Sequence, residues 1–181
     1  MKKMIPVLLF VGLISGSLFG QWTAGTKSVG SLFSYSSTKA DDDDKGTTTM
    51  SIEPSVEYFV MDNVSVQVML QMDMVNNGNL DGDAAKAEST MHFGGGAKYY
   101  MGNIYAGGGL MMMSTNTGGP DPMKGNMLMV NAGYLYPLAD GIYLDCGFNY
   151  TMGMGKWKMG DMEMDNKTAN MGLGVGVAAY F

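Results

Sequence analysis

Two side chains that each occur once limit the chemistry available to this sequence. His92 is the single histidine, so any catalysis by an imidazole must use it. Ser51, Ser55 or Asp73 could complete a set of the kind that hydrolases use. No catalytic motif surrounds His92, and we predict a hydrogen-bonded structural residue and a protein that is not an enzyme. Cys146 is the single cysteine, which excludes a disulfide within the chain and a zinc or iron–sulfur site built from several cysteines.

Two groups of residues carry donor atoms for metal ions. The carboxylates of Asp41–Asp44 and of Asp81-Gly82-Asp83 suit divalent cations. Neither group has the spacing of a full calcium loop, so we interpret both as solvated acidic loops. Thioethers prefer soft ions such as Cu(I), and Met159, Met162 and Met164 share one predicted loop. Methionines that alternate along strands would instead fill lipid-facing apolar positions. We therefore predict no metal and no other cofactor.

The composition favours β-structure in an apolar surround. The chain has 181 residues, which is enough for one domain. It contains 27 glycines and 10 tyrosines, and 15% of its residues are charged, whereas an average soluble domain has about 25% charged residues. The formal charge of −6 and the pI of about 4.5 argue against a nucleic-acid partner.

The first twenty residues have the pattern of a secretory signal peptide. Met1-Lys2-Lys3 is a basic start, and a short apolar run follows from Met4 to Phe19. Small residues precede a cleavage site that we place after Gly20. The alternative is an uncleaved N-terminal helix. We predict a signal peptide at residues 1–20 and a mature domain at residues 21–181.

Polar and apolar residues alternate with a period of two along most of the mature chain, which indicates β-strands. Between Met171 and Phe181, for example, every second residue is apolar. Strands in soluble domains usually have about 5–6 residues, whereas crossing a bilayer on a tilted strand takes about 9–11. The alternating runs in this sequence are long enough for strands that cross a bilayer. The alternation predicts eight strands, at residues 27–37, 48–60, 63–74, 89–101, 104–114, 126–137, 141–152 and 168–181.

The connections between these strands alternate in length. Three are tight, at residues 61–62, 102–103 and 138–140, and four are long and polar, at residues 38–47, 75–88, 115–125 and 153–167. Short turns on the periplasmic side and long loops on the other are typical of transmembrane barrels. The sequence therefore predicts an all-β fold, an eight-stranded antiparallel up-and-down transmembrane β-barrel.

One hairpin carries a family resemblance. The segment from Ile52 to Val64, which reads I-E-P-S-V-E-Y-F-V-M-D-N-V, resembles the P-S-V-x-Y-F-V-x-D-N hairpin of the outer-membrane β-barrel domain family. Tyr180-Phe181, preceded by alternating apolar residues, is similar to the terminal membrane-insertion signal of that class. The resemblance covers residues 28–181 and implies a small OmpA/OmpX/OmpW-type barrel, folded into the cell outer membrane by the barrel-assembly machinery. The lack of arginine and the abundance of methionine depart from the family pattern.

The alternation also predicts which side chains face the lumen and which face lipid. Glu57, Lys98 and Asp145 fall at similar depth on the inward face, so we predict a lumen charge cluster in which Lys98 bridges the two carboxylates. Cys146 falls on the lipid-facing side. The other predicted inward residues are Ser51, Glu53, Ser55, Gln67, Gln71, Asp73, His92, Asn131, Asn149, Gly172, Gly174 and Gly176. Aromatic residues recur at the short-turn end, where an interfacial girdle is expected: Tyr58-Phe59, Tyr99-Tyr100, Tyr136 and Tyr180-Phe181.

These observations lead to one functional hypothesis and two alternatives. The hypothesis is a monomeric outer-membrane barrel that has a structural or binding role and contacts outer-membrane lipid. The first alternative is a narrow channel for small or hydrophobic solutes. The second is a lipid-modifying enzyme that uses His92.

Overall fold

The structure is a computed structural model that describes residues 22–38, 47–77, 88–116, 122–160, 162–166 and 169–181. The predicted signal peptide at residues 1–20 and the acidic groups Asp41–Asp44 and Asp81-Gly82-Asp83 lie outside the described residues. Among the residues described, no helix is long and apolar enough to cross a membrane. The strands are β1 Lys27–Thr38, β2 Thr47–Met61, β3 Val64–Asn77, β4 Glu88–Met101, β5 Ile104–Asn116, β6 Met123–Ala139, β7 Ile142–Met159, β8 Met162–Asp165 and β9 Ala169–Tyr180.

Eight of these strands form a closed antiparallel barrel. Each strand from β1 to β7 pairs with the next in the chain, β9 pairs with β7, and β9 closes the ring on β1. The predicted eight-stranded up-and-down barrel is confirmed. The closing seam is the shortest pairing of the ring. β1 and β9 share six paired positions, from Ser28 opposite Tyr180 to Phe33 opposite Val175, whereas β1 and β2 share twelve.

The prediction of a loop at residues 153–167 is wrong. β7 continues to Met159, and β8 pairs with its far end, so that a hairpin extends beyond the barrel. The register between β6 and β7 shifts near Asn126, where Gly155 adopts a left-handed φ of 72°. A bulge of this kind inserts an extra residue. The period-two alternation therefore changes phase at Gly155 and then resumes in Lys156-Trp157-Lys158-Met159 and Met162-Glu163-Met164-Asp165, so the signal for this hairpin is present in the sequence.

Tight turns close three of the hairpins at one end, which we call the short-turn rim. The turns lie at residues 62–63, 102–103 and 140–141, and in each turn one residue has a positive φ: Asn63, Gly102 or Gly141. Asparagine and glycine are the residues that adopt this backbone conformation at least cost. The opposite end is called the long-loop rim.

The outer wall of the barrel is apolar. Large side chains that point outward along the strands are close to half exposed or more; they include Val29, Phe33, Val56, Val66, Val68, Phe93, Leu110, Met112, Val130, Phe148, Leu173, Val175 and Val177. Cys146 is exposed on the same wall, as predicted. A continuous apolar band of this extent is unfavourable in water and is the expected surface of a barrel solvated by lipid.

Candidate functional site

The interior of the barrel is filled by three layers of side chains. An aromatic plug lies at the short-turn rim, a polar layer lies above it, and a methionine layer lies towards the long-loop rim. The barrel of eight strands is just wide enough for its own side chains to fill it. The three layers, together with a polar group around His92 on the long-loop side of the methionine layer, define the candidate site.

The aromatic plug consists of Trp22, Phe59, Tyr100, Tyr105 and Leu135, with Tyr143 and Tyr180 packed against it. Trp22 precedes the first strand and lies across the barrel end, where its indole Nε1 donates a hydrogen bond to the Gly102 carbonyl oxygen at 2.7 Å. Its ring centroid lies 4.3 Å from that of Tyr180 and 5.7 Å from that of Phe59. Aromatic packing of this kind contributes beyond the area that it buries.

The predicted girdle of aromatic residues is therefore split between two faces. Phe59 and Tyr100 are buried inside the barrel, and Tyr180 packs against them, whereas their neighbours Tyr58, Tyr99 and Phe181 remain exposed outside. Adjacent strand residues point to opposite faces, so each predicted pair supplies one residue to the plug and one to the outer rim. The girdle prediction is wrong for the inward half of each pair.

The polar layer is centred on a buried ion pair between Lys98 and Glu57. Lys98 Nζ lies 2.5 Å from Glu57 Oε1. Glu57 Oε2 accepts hydrogen bonds from the hydroxyls of Ser65, at 3.0 Å, and Tyr100, at 2.6 Å. Both carboxylate oxygens are thus satisfied, which a charge at this depth requires.

Asp145 joins this layer through a tyrosine. Tyr105 donates a hydrogen bond from its hydroxyl to Asp145 Oδ1 at 2.9 Å, and Lys98 Nζ lies 4.5 Å from the centroid of the Tyr105 ring. No ion pair within 4 Å joins Lys98 to Asp145 among the described residues. Lys98 therefore contacts Glu57 directly, and its predicted bridge to Asp145 stays a prediction. Glu57, Lys98 and Asp145 line one cavity of about 20 Å³, which is room for about one water molecule.

His92 binds a carboxylate on the long-loop side of the methionine layer. Its Nε2 lies 2.9 Å from Asp73 Oδ2, and Gln71 Nε2 donates a hydrogen bond to Asp73 Oδ1 at 2.8 Å. Ser51 also hydrogen-bonds to Asp73. The other imidazole nitrogen, Nδ1, is buried and has no hydrogen-bond partner among the described residues. The set that the enzymatic alternative would need is assembled in part, with Asp73 in contact with His92 and Ser51 opposite Asp73 on the neighbouring strand.

The methionine layer was not predicted. Met69, Met111, Met127 and Met129 are buried in contact with one another inside the barrel, and Met113 packs against them. The interpretation of strand methionines as lipid-facing is wrong for these residues, although Met72 and Met74 are exposed outside. The signal was present in the alternation, because Met69 shares a strand face with Gln67 and Gln71.

A glycine makes room for these sulfur-containing side chains. Gly94 lies opposite both Met69 and Met111 on the inner wall. A Cβ atom added at Gly94 would lie 2.7 Å from Met111 Cγ and from the Leu110 carbonyl oxygen. Such distances are too short for van der Waals contact, so a side chain at residue 94 would displace the methionine layer.

The methionines of the last predicted long loop lie on the β7–β8 hairpin, where Met159 is directly opposite Met162. Met162 and Met164 lie exposed on β8, and Met159 is half-buried at the end of β7. The charged residues of this hairpin do pair: Glu163 lies 2.8 Å from Lys156 Nζ and 3.4 Å from Lys158 Nζ. Hydrogen bonds from these lysines lower the pKa of the Glu163 carboxyl, and the bond to Glu163 raises the pKa of Lys156. Among the described residues, no group of three or more His, Cys, Asp or Glu is placed to hold a metal ion.

A closed barrel with an apolar outer wall and a filled polar and apolar interior defines a transmembrane β-barrel. No protein-family model and no curated protein matches the sequence. Solved structures do. OprG from Pseudomonas aeruginosa is 16% identical, with 88% of this chain and 97% of that chain covered and a TM-score of 0.55. Ail of Yersinia pestis is 13% identical (88% and 100% covered, TM-score 0.52), and Neisserial surface protein A is 17% identical (90% and 99% covered, TM-score 0.51). The chain has the fold of the small eight-stranded outer-membrane barrels, as the hairpin resemblance implies, and its wall is suited to the cell outer membrane.

Proposed function

We propose that this protein is a non-conducting, non-catalytic outer-membrane barrel with a structural or binding role. The observation that carries the proposal is the filled interior. The aromatic plug, the Lys98–Glu57 ion pair and the methionine layer occupy successive levels of the lumen. The cavity beside the ion pair is about 20 Å³, whereas a permeant solute needs a continuous path.

Opening a path through the barrel would be costly at each level. Trp22 would have to leave four aromatic neighbours and its hydrogen bond to Gly102. Separating Lys98 from Glu57 would leave two unpaired charges in a site of low dielectric constant. These costs favour a closed lumen over the narrow-channel alternative.

The bonding order around His92 favours a structural role over the lipid-modifying alternative. A nucleophilic serine must hydrogen-bond to the imidazole that activates it, with the carboxylate behind the imidazole. Here Ser51 and His92 both bind Asp73, so the carboxylate separates them. The set also faces the interior of the barrel instead of the lipid.

The extended hairpin of β7 and β8 supplies the surface for a binding role. It rises beyond the long-loop rim, and it presents exposed Met162 and Met164 beside the paired charges of Glu163 and Lys156. Side chains on a hairpin outside the barrel are accessible to a partner. We further propose that the protein is a monomer, and that the barrel-assembly machinery recognises Tyr180 and Phe181 when it folds the barrel into the membrane.

Conductance in planar lipid bilayers tests this function. The purified, refolded barrel should give no regular conductance steps at moderate voltage. The double variant Trp22→Ala/Tyr105→Ala, which removes two rings of the plug, should stay closed as well, because the Lys98–Glu57 ion pair and the methionine layer still fill the lumen above the plug. The variant Tyr99→Ala is the matched control, because Tyr99 lies outside the wall. Regular unitary steps from the wild type would contradict the proposal and support the channel.

A further inference from the structure

His92 carries a buried nitrogen atom that no described residue binds. Its Nε2 faces the Asp73 carboxylate at 2.9 Å, and Nδ1 has no hydrogen-bond partner. Because a carboxylate only accepts hydrogen bonds, Nε2 is the nitrogen that carries a proton, and in the neutral imidazole Nδ1 then presents a lone pair. An unpaired polar atom in a buried position is costly, so a ligand that bound Nδ1 would relieve an existing penalty.

Methionine side chains occupy the positions around this nitrogen-bearing ring. Met113 lies directly opposite His92 on β5. Met69 on β3 and Met111 on β5 both lie opposite Gly94, which is two residues from His92 on the same face of β4. Long side chains at opposite and diagonal positions of one sheet face reach each other. Gly94 adds no side chain that would separate them, and Met113 packs against the methionine layer.

We infer that this end of the lumen binds a soft monovalent metal ion of the Cu(I) type, through Nδ1 of His92 and the thioether sulfurs of Met113 and Met111. Neutral thioethers prefer soft ions, and imidazole suits copper. Histidines that bind metals commonly donate their other ring N–H to a carboxylate, and Asp73 occupies that place. Its negative charge also offsets the positive charge of the ion in this buried environment.

The site lies on the long-loop side of the four fully buried methionines. Met69, Met111, Met127 and Met129 are fully buried, but Met113 is only half-buried and lies nearest the long-loop rim. The site thus lies above the polar layer, and it does not require the plug or the ion pair to open. Metal binding here goes beyond the proposed structural or binding role, and it is compatible with a lumen that conducts nothing.

Nuclear magnetic resonance of the single histidine tests the inference directly. The full chain is produced with ¹⁵N-labelled histidine, refolded in detergent micelles and titrated with silver nitrate, since Ag(I) is a soft, redox-stable substitute for Cu(I). The Nδ1 resonance of His92 should shift and saturate at about one equivalent, while the Nε2 proton stays bonded to Asp73. An unchanged Nδ1 resonance after Ag(I) has bound elsewhere on the protein would overturn the inference.

Three variants separate the lumen site from exposed methionines. Met113→Leu keeps an apolar side chain of similar volume, and it should weaken Ag(I) binding at His92 at least tenfold. Asp73→Asn removes the charge that orients the imidazole, and loss of such a positioning group lowers metal affinity about 10–100-fold. The double variant Met162→Leu/Met164→Leu changes exposed residues of β8 only, and it should leave the His92 titration unchanged.

The opposite pattern would also overturn the inference: a His92 titration that survives Met113→Leu but is lost in the β8 double variant. Each variant is checked for folding by its heat-dependent gel mobility. If Met113→Leu fails to fold, the wild-type titration decides alone.

Discussion

Replacing Lys98 with methionine should destabilise the barrel by about 3 kcal/mol. Removing one partner of a buried ion pair costs about 3–5 kcal/mol because the other charge stays buried. The side chains of Lys98 and Glu57 are 7% and 4% exposed, so solvent does little to screen the charge that remains. Glu57 Oε2 keeps its hydrogen bonds from Ser65 and Tyr100, which places the expected loss at the lower end of that range.

Equilibrium unfolding in urea, with the barrel in lipid vesicles and its tryptophan fluorescence as the signal, measures this loss. Lys98→Met/Glu57→Gln should recover much of the stability, because the neutral amide no longer leaves a bare charge. Lys124→Met is the control, since Lys124 is exposed and its loss should change stability by less than about 0.5 kcal/mol.

Two results would refute the reasoning. One is a Lys98→Met barrel as stable as the wild type at neutral pH. The other is a double-mutant cycle with no coupling between Lys98 and Glu57, because that would mean that the pair contributes nothing beyond its two separate side chains.

Three further predictions concern other parts of the barrel. Gly133→Ala should lower the free energy of unfolding by about 1–3 kcal/mol in the same urea assay, because the new Cβ would overlap the Tyr105 ring. Gly174→Ala is the control and should be tolerated, because the atom nearest to a Cβ at that position would lie at an ordinary 3.6 Å. The pKa of the Glu163 carboxyl is lowered by its lysine partners, so Glu163 should stay ionised and bonded to Lys156 at neutral pH and release Lys156 only as the pH falls through that lowered pKa. Side-chain chemical shifts followed against pH check this. Shifts that titrate at the ordinary carboxyl value would contradict it. A nitroxide on Cys146 should be accessible to oxygen and protected from water-soluble relaxation agents, and strong aqueous accessibility would place the residue outside the lipid-facing wall.

The barrel itself could be predicted from the sequence because its strands obey a simple rule. Each strand alternates between a wall that contacts lipid and an interior that is polar or small, so the period-two pattern predicts the strands and their faces. Glu57, Lys98 and Asp145 were placed inside by that pattern alone, and all three line the same small cavity.

The details that the sequence did not predict have physical causes of three kinds. Methionine is apolar, so the rule that polar residues face the lumen assigned Met111 and Met127 to the lipid-facing wall. They lie inside the barrel instead, where Gly94 leaves room for their side chains. Trp22 lies outside any strand, so no periodicity locates it. Lys98 contacts Glu57, whereas Tyr105 on the neighbouring strand binds Asp145. Contacts of this kind between side chains on different strands cannot be read from the spacing of residues along the chain.

The short seam between β1 and β9 has a consequence for how the cylinder comes apart. Above Phe33 the backbone of β1 is bonded to β2 alone, and above Val175 the backbone of β9 is bonded to β7 alone. On the long-loop side, the ring of backbone hydrogen bonds is therefore interrupted between β1 and β9. The ring should close from the plugged end upward when it assembles and part from that interruption downward when it unfolds, so amide exchange should be fastest along the free edges of these two strands.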